Sequence, residues 1–261
     1  MPVSVRPCLV WILGALVAAA VPADPARAAS IYTSGHADIA AGYSAVSGQF
    51  EPHWHSHAGA VIDGVTATTD GEYEPADLIA QTLAQRLTPS GGGGLSGLLG
   101  VPDGTQVWVM GSTVFQPNLG VGAEELDPSE WTGDITLRFN PVSSILPGAF
   151  GLYTTNIGGT NVVDRLFSSF DPGATDFSNT LPLSPGGHSH YQWAFTLPGI
   201  YRLRFTWEGT HVTDGFKSTS AVFGFRAGAA VVPEIDPSGL TAVLALVTGG
   251  LGLLERRRRI A

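Results

Sequence analysis

The sequence predicts an all-β protein, an antiparallel sandwich of the immunoglobulin-like kind with one short helix and long loops. Short runs of alternating apolar and polar residues recur along the chain, parted by clusters of Gly, Pro, Asn and Asp. No series of helices alternates with these runs, which sets the chain apart from α/β folds.

The strand runs are TQVWVMG from Thr105, DITLRFNPV from Asp134, GAFGLYTT from Gly148, HYQWAFTLPG from His190, IYRLRFTWEG from Ile200 and STSAVFGFRAG from Ser218. In YRLRFTW the residues Tyr201, Leu203, Phe205 and Trp207 are apolar, while Arg202, Arg204 and Thr206 alternate with them. That is the pattern of a half-buried antiparallel strand. Pro198-Gly199, between two such runs, predicts a tight hairpin turn. The one helix candidate is EPADLIAQTLAQRL from Glu74, with Pro75 suited to a first helical turn. TPSGGGGLSGLLG follows from Thr88, and its four consecutive glycines predict a flexible loop or linker.

Both ends read as addresses. Arg6, an apolar run from Leu9 to Val21 and the small-x-small site Ala26-Arg27-Ala28 predict a secretory signal peptide over residues 1–28, cut before Ala29. Cys8, the single cysteine, precedes the apolar run and departs with the leader. The exported domain, residues 29–230, then has neither disulfides nor thiolate ligands, so any metal it holds is bound by His, Asp or Glu. At the other end Pro233-Glu234-Ile235 precedes an apolar stretch, Leu240 to Leu254, and the cluster Arg256 to Arg259. Arginines kept on the cytoplasmic side would stop export there and leave the domain outside. This layout over residues 231–261 resembles PEP-CTERM sorting signals. The resemblance implies an exosortase-type processing enzyme as partner, although the commonest form has Pro-Glu-Pro. A plain tail anchor in the cell membrane is the alternative.

Between Ala29 and Val232 stand seven basic and eighteen acidic residues, a net charge of 7 − 18 = −11. Such a domain repels phosphate, which excludes nucleic acid as partner and suits cations.

FEPHWHSH places His53, His55 and His57 on alternate positions, so on a strand they share one face and Phe50, Trp54 and Ser56 the other. HSHYQWAF repeats the pattern with His188, His190 and Gln192 against Tyr191, Trp193 and Phe195. Two such strands side by side in one sheet would offer four imidazoles in one patch, a donor set for Zn²⁺ or Cu²⁺. Solvated strand faces are the plainer explanation of either comb. GHAD adds His36 and Asp38 with the same spacing, while His211 stands alone and reads as structural or surface. In NLGVGAEELDPSEW the loop residues Glu124 and Glu125 are candidates for a carboxylate ligand or a general base beside metal-bound water. The signatures H-E-x-x-H, G-x-S-x-G and the P-loop are missing.

GHADIAAGYSAVSGQFEPHWH, VWVM, LGVGAEEL, GAFGLYTT, GGHSHYQWAFTLPGIYRLRFTWEGT and DGFKSTSAVFGFRA together resemble, in order from Ser30 to Ala227, the blocks of choice-of-anchor M domains. These are surface-anchored repeats found beside metal-type ABC transporters. The resemblance implies an extracytoplasmic domain tied to metal handling, with a metal ABC transporter as partner. It maps the recurrent histidines onto His36, His53, His55, His188 and His190. His57 and the insert around residues 91–94 depart from the pattern.

The expectation is therefore an envelope-anchored, non-catalytic protein that binds Zn²⁺ or a similar ion through His36, His53, His55, His188, His190 and Glu124. The alternative is a structural or adhesive surface protein that binds polysaccharide or a protein partner. A metal-dependent hydrolase using Glu124 or Glu125 is the third reading.

Overall fold

Alternation governs where the apolar residues go. In the computed structural model Tyr201, Leu203, Phe205 and Trp207 are fully buried while Arg202 is exposed, as the period-two pattern predicts. The structure describes residues 28–89, 94–112, 116–155, 162–170 and 179–229. The expected leader up to residue 27, residues 91–93 of the glycine run and the expected tail from residue 231 lie outside the described residues.

Among the described residues the chain is all-β with one short α-helix. Its early strands are β1 (Ser30–Ser34), β2 (His36–Ser44), β3 (Gln49–Ser56), β4 (Val61–Ile62), β5 (Val65–Thr66), β6 (Gly71–Tyr73), β7 (Leu78–Thr82) and β8 (Gln85–Leu87). Helix α1 (Leu95–Leu99) precedes β9 (Gln106–Met110), β10 (Asn118–Gly122), β11 (Ile135–Phe139), β12 (Phe150–Thr155) and β13 (Val162–Ser168). The last are β14 (Thr180–Leu183), β15 (His188–His190), β16 (Gln192–Phe195), β17 (Gly199–His211) and β18 (Gly215–Ala227).

They form three sheets. The first runs β14-β11-β17-β18-β7-β1-β4-β5, the second β15-β10-β2-β3-β6 and the third β13-β12-β16-β9-β8. The first sheet packs one face against both of the others. Its Phe225 lies 5.5 Å from Trp54 of the second sheet and 5.1 Å from Trp193 of the third. Phe139 of the first sheet likewise meets Phe150 of the third, edge to face at 5.1 Å. The layering is that of a sandwich in which two smaller sheets share the second layer.

Four expectations need correction. The sheets are not purely antiparallel: β1 with β7, β2 with β10 and β7 with β18 are parallel pairs. The helix expected from Glu74 is instead β7 and β8. Leu78, Ile79 and Ala80 are buried where β7 slots between β1 and β18, and pairing on both edges overrides a weak helical preference. The helix lies in the segment expected to be a loop. Leu95, Leu98 and Leu99 of α1 cover the outer face of the third sheet, over Val107, Val109 and Tyr153, and Gly100 closes the helix in the left-handed region. Finally, Pro198-Gly199 joins β16 of the third sheet to β17 of the first, so it turns a corner between layers and closes no hairpin.

Candidate metal centre

The second sheet presents the imidazoles. Its inward face carries Phe50 and Trp54 of β3, Ala37 and Ile39 of β2, and Leu119 and Val121 of β10, all buried against the first sheet. Alternation then fixes the opposite face, which carries His36 and Asp38 of β2 and His53 and His55 of β3. His57 follows directly, its N–H donating to the His36 carbonyl at 3.0 Å. The register places His55 opposite Asp38, Asp38 opposite Gly120, and Gly120 opposite His190, in one row across four strands. His188 pairs with Gly122 in the next row.

The two combs therefore share a sheet and a face, but they are not neighbours: β10 and β2 stand between them. The HSHYQWAF run does not stay in one sheet either. His188–His190 is an edge strand of the second sheet, and Gln192–Phe195 belongs to the third. Convergence across the gap comes from small residues on the intervening strands. A Cβ on Gly120 would stand 2.0 Å from Asp38 Oδ1, so only glycine lets that carboxylate lie across β10. Gly42 likewise leaves room for Glu125, whose Oε2 would be 2.9 Å from a Cβ there.

Asp38 is the centre of the inner group. It is fully buried, and its Oδ1 has no hydrogen-bond partner. His57 Nε2 stands 3.1 Å from Asp38 Oδ2 in hydrogen-bonding geometry. His36 Nε2 is also 3.1 Å from that oxygen but off the line of a hydrogen bond, which leaves this buried nitrogen without a hydrogen-bond partner. His36 stacks on His57 at 4.1 Å between ring centres and lies 4.5 Å from His190 and 5.3 Å from His188. Glu124 closes the group from above, with Oε2 3.9 Å from His57 Nε2 and Oε1 against His188 Nδ1. His190 Nδ1 pairs with Asn118 Oδ1 at 3.1 Å, which leaves Nε2 as its unengaged ring nitrogen for a ligand bond.

A second group stands beside it. Glu125 Oε1 lies 2.8 Å from His53 Nε2 and 3.0 Å from His55 Nδ1. His53 Nδ1 donates to the Glu51 carbonyl at 2.8 Å, so Nε2 is the nitrogen left for a ligand bond. His55 stacks on His57 at 4.7 Å, and His57 Nδ1 reaches to 3.9 Å from Asp70 Oδ2 at the rim.

The charges agree with the geometry. Burial pushes the Asp38 carboxyl up, but contact and charge from His36, then from His57 and His188, outweigh it and hold the acid below its usual range. The same contact raises the His36 imidazole. Burial, and after it the charge of His36, lowers His190 and favours its neutral, ligating form.

Among the described residues, four triads bring one ligand atom from each member within 4.8 Å of the others: His36/His188/His190, His36/Asp38/His57, His53/His55/Glu125 and His55/His57/Asp70. Nitrogen and oxygen ligands of a tetrahedral ion stand roughly 3.3 Å apart at bond lengths of about 2.0–2.1 Å. The 3.1 Å contacts of His36 and His57 with Asp38 are close to that spacing, and Glu124 stands farther off, 3.9 Å from His57 Nε2.

All the expected residues, His36, His53, His55, His188, His190 and Glu124, thus lie on or over one face, though in separate groups. Sequence reasoning left Asp38 and His57 outside its ligand set and named Glu125 only as an alternative to Glu124. The signal for Asp38 was its shared phase with His36, and that for its clearance was the alternating glycine of NLGVG. His211, expected to be structural, is buried and stacks on Tyr43 at 4.6 Å, far along the sheet. No protein family, curated protein or solved structure matches the chain.

Proposed function

We propose that this chain is an exported, envelope-anchored, non-catalytic protein that captures a first-row divalent metal ion, with Zn²⁺ the best fit. The ion lies between His36, Asp38 and His57, completed by His188 or His190 and by Glu124. The observation that carries this reading is Asp38: a buried carboxylate with one oxygen unpartnered and two imidazoles on the other. A buried anion without full pairing is costly, and a cation held by the same imidazoles relieves it. Histidine nitrogens with one or two carboxylates are a zinc donor set, and no thiol is needed.

The expected leader, the resemblance of the tail to sorting signals and the net charge of −11 over residues 29–232 support delivery to the envelope and attraction of cations. No helix among the described residues is long and apolar enough to cross a membrane. The tether in this reading is therefore the segment from Leu240 to Leu254. The resemblance to choice-of-anchor M domains supports a metal ABC transporter as the partner that takes the ion. A polysaccharide-binding role has less support, because Trp54, Trp131, Trp193 and Trp207 are spent on the core.

The test is calorimetric titration of Zn²⁺ into protein purified without a histidine tag. Saturable binding is expected, and Asp38→Asn with His57→Ala should weaken binding at the Asp38 position at least 100-fold while the circular dichroism spectrum is kept. Unchanged stoichiometry and affinity in that double variant overturns the reading.

A further inference from the structure

Besides the inner group, the same face carries a complete second donor set that shares no residue with it. We infer that His53, His55 and Glu125 hold a second metal ion beside the one at Asp38, so that the loaded protein carries two. This rests on the reading of the face as a metal centre and extends it in number and position.

The geometry of this position accommodates a cation shared by rings and carboxylate. His53 is 8 % exposed, and its Nδ1 proton is committed to the Glu51 carbonyl. In the neutral ring Nε2 then carries a lone pair, aimed at the Glu125 oxygen 2.8 Å away. Two lone pairs in apposition repel. Only a proton on the ring or a cation shared by ring and carboxylate makes the arrangement favourable. His55 aims Nδ1 at the same oxygen, so the cation has three donors at once. Glu125 is also built into place: Gly42 on β2 leaves the space its Oε2 occupies.

The two positions are adjacent but separable. Glu124 reaches to His57 and His188 on the inner side, whereas its chain neighbour Glu125 reaches to His53 and His55 on the other. Consecutive carboxylates thus serve different ions. Between them the triad His55/His57/Asp70 takes one histidine from each group. An ion exchanging between positions, or leaving for a partner, therefore meets protein ligands throughout.

The experiment is metal stoichiometry by native mass spectrometry, with Co²⁺ absorbance as a second readout, on the full chain purified without a tag. The wild type should bind two Co²⁺ per chain. His53→Ala with Glu125→Ala should bind one and keep the absorbance of the inner ion, and Asp38→Asn with His57→Ala should likewise keep one. One equivalent in the wild type overturns the second ion and leaves the metal-capture reading standing. No binding at all overturns both. Should the His53/Glu125 variant fail to fold by circular dichroism, the milder His55→Gln serves in its place, and two ions retained there count against the proposal.

Discussion

Asp38 and Gly120 face each other across one strand pairing, and each explains the other. The carboxylate needs the space above β10, and any side chain on β10 would take it. Gly120→Ala should therefore displace Asp38 without removing a ligand. The expected result is Zn²⁺ affinity lowered by about 10–100-fold, the range seen when a supporting contact is lost, with a stability cost of about 1–3 kcal/mol from overpacking. Titration calorimetry and urea unfolding read the two effects separately. The phase of the combs was legible in the sequence because strand alternation leaves little freedom once Phe50 and Trp54 must face the core. The role of Asp38 was not, because nothing in GHAD shows that an aspartate can be buried beneath histidines whose strands lie apart in the chain. A different residue pair tests the described electrostatics away from the metal face. The Tyr43 hydroxyl donates to Asp214 Oδ2, which holds Asp214 below 3.8 and pushes Tyr43 from 10.0 up to about 12. Asp214 is depressed, so its share of stability is present above 3.8 and is lost as the pH falls through the lower folded value. Tyr43 is raised, so its share is present below 10.0 and is lost as the pH climbs through about 12. The stability difference between wild type and Tyr43→Phe should be level from about pH 4 to 10 and shrink at both extremes. Urea midpoints at pH 3, 7 and 11 measure it, and a difference that grows in acid contradicts the assignment.

The elements were legible where one face is buried and obscure where pairing decides. β11, β17 and β18 stand where alternation predicts them, each with an apolar face against the core, while β9 and β12 stand where apolar runs predict them although both of their faces are buried. β7 carries the short apolar run LIA, which periodicity cannot tell from a helical turn, and its identity comes from two strands distant in sequence. The break at Tyr191, where the chain leaves the second sheet for the third, has no local turn signal in HSHYQW. The helix α1 was hidden behind the glycine run, yet its leucines are among the most buried residues. Leu98 is fully buried and sits on Gly151 of β12, where a Cβ would come within 2.7 Å of its Cδ2. Leu98→Ala should cost about 2–5 kcal/mol, the range for emptying a leucine site. Thermal or urea unfolding measures this, and a loss under 1 kcal/mol would mean that α1 does not close the third sheet.

At the scale of the whole molecule, the core fixes one face of the second sheet and leaves the other free to gather charge. In the proposed reading, an acidic surface with imidazoles collected on one sheet face draws cations in from solution. If Leu240–Ala261 is the tether, a chain ending before Leu240 should appear in the soluble periplasmic or secreted fraction while the full chain sediments with membranes; identical fractionation contradicts the tether. Metal capture must also register in global stability, because an ion that binds only the folded chain stabilises it by linkage. At a free Zn²⁺ concentration 100 times the dissociation constant the gain is about 2.7 kcal/mol per ion. For a domain near 200 residues that corresponds to a rise in Tm of about 5–11 °C. Protons oppose it, since each ligating imidazole must be neutral and the ordinary value is near 6.5. His36, raised by Asp38, keeps its proton to higher pH than an ordinary histidine, so competition at that ligand begins above 6.5. The Zn²⁺-induced rise in Tm should be full at pH 8, reduced at pH 7 and small at pH 5.5. His55→Ala with His190→Ala should diminish it, and the metal-free Tm should change little, because both side chains lie on the face away from the core. A scanning calorimetry series across these pH values decides it: a shift of the same size at pH 5.5 and pH 8 would mean that the ion is not held by imidazoles.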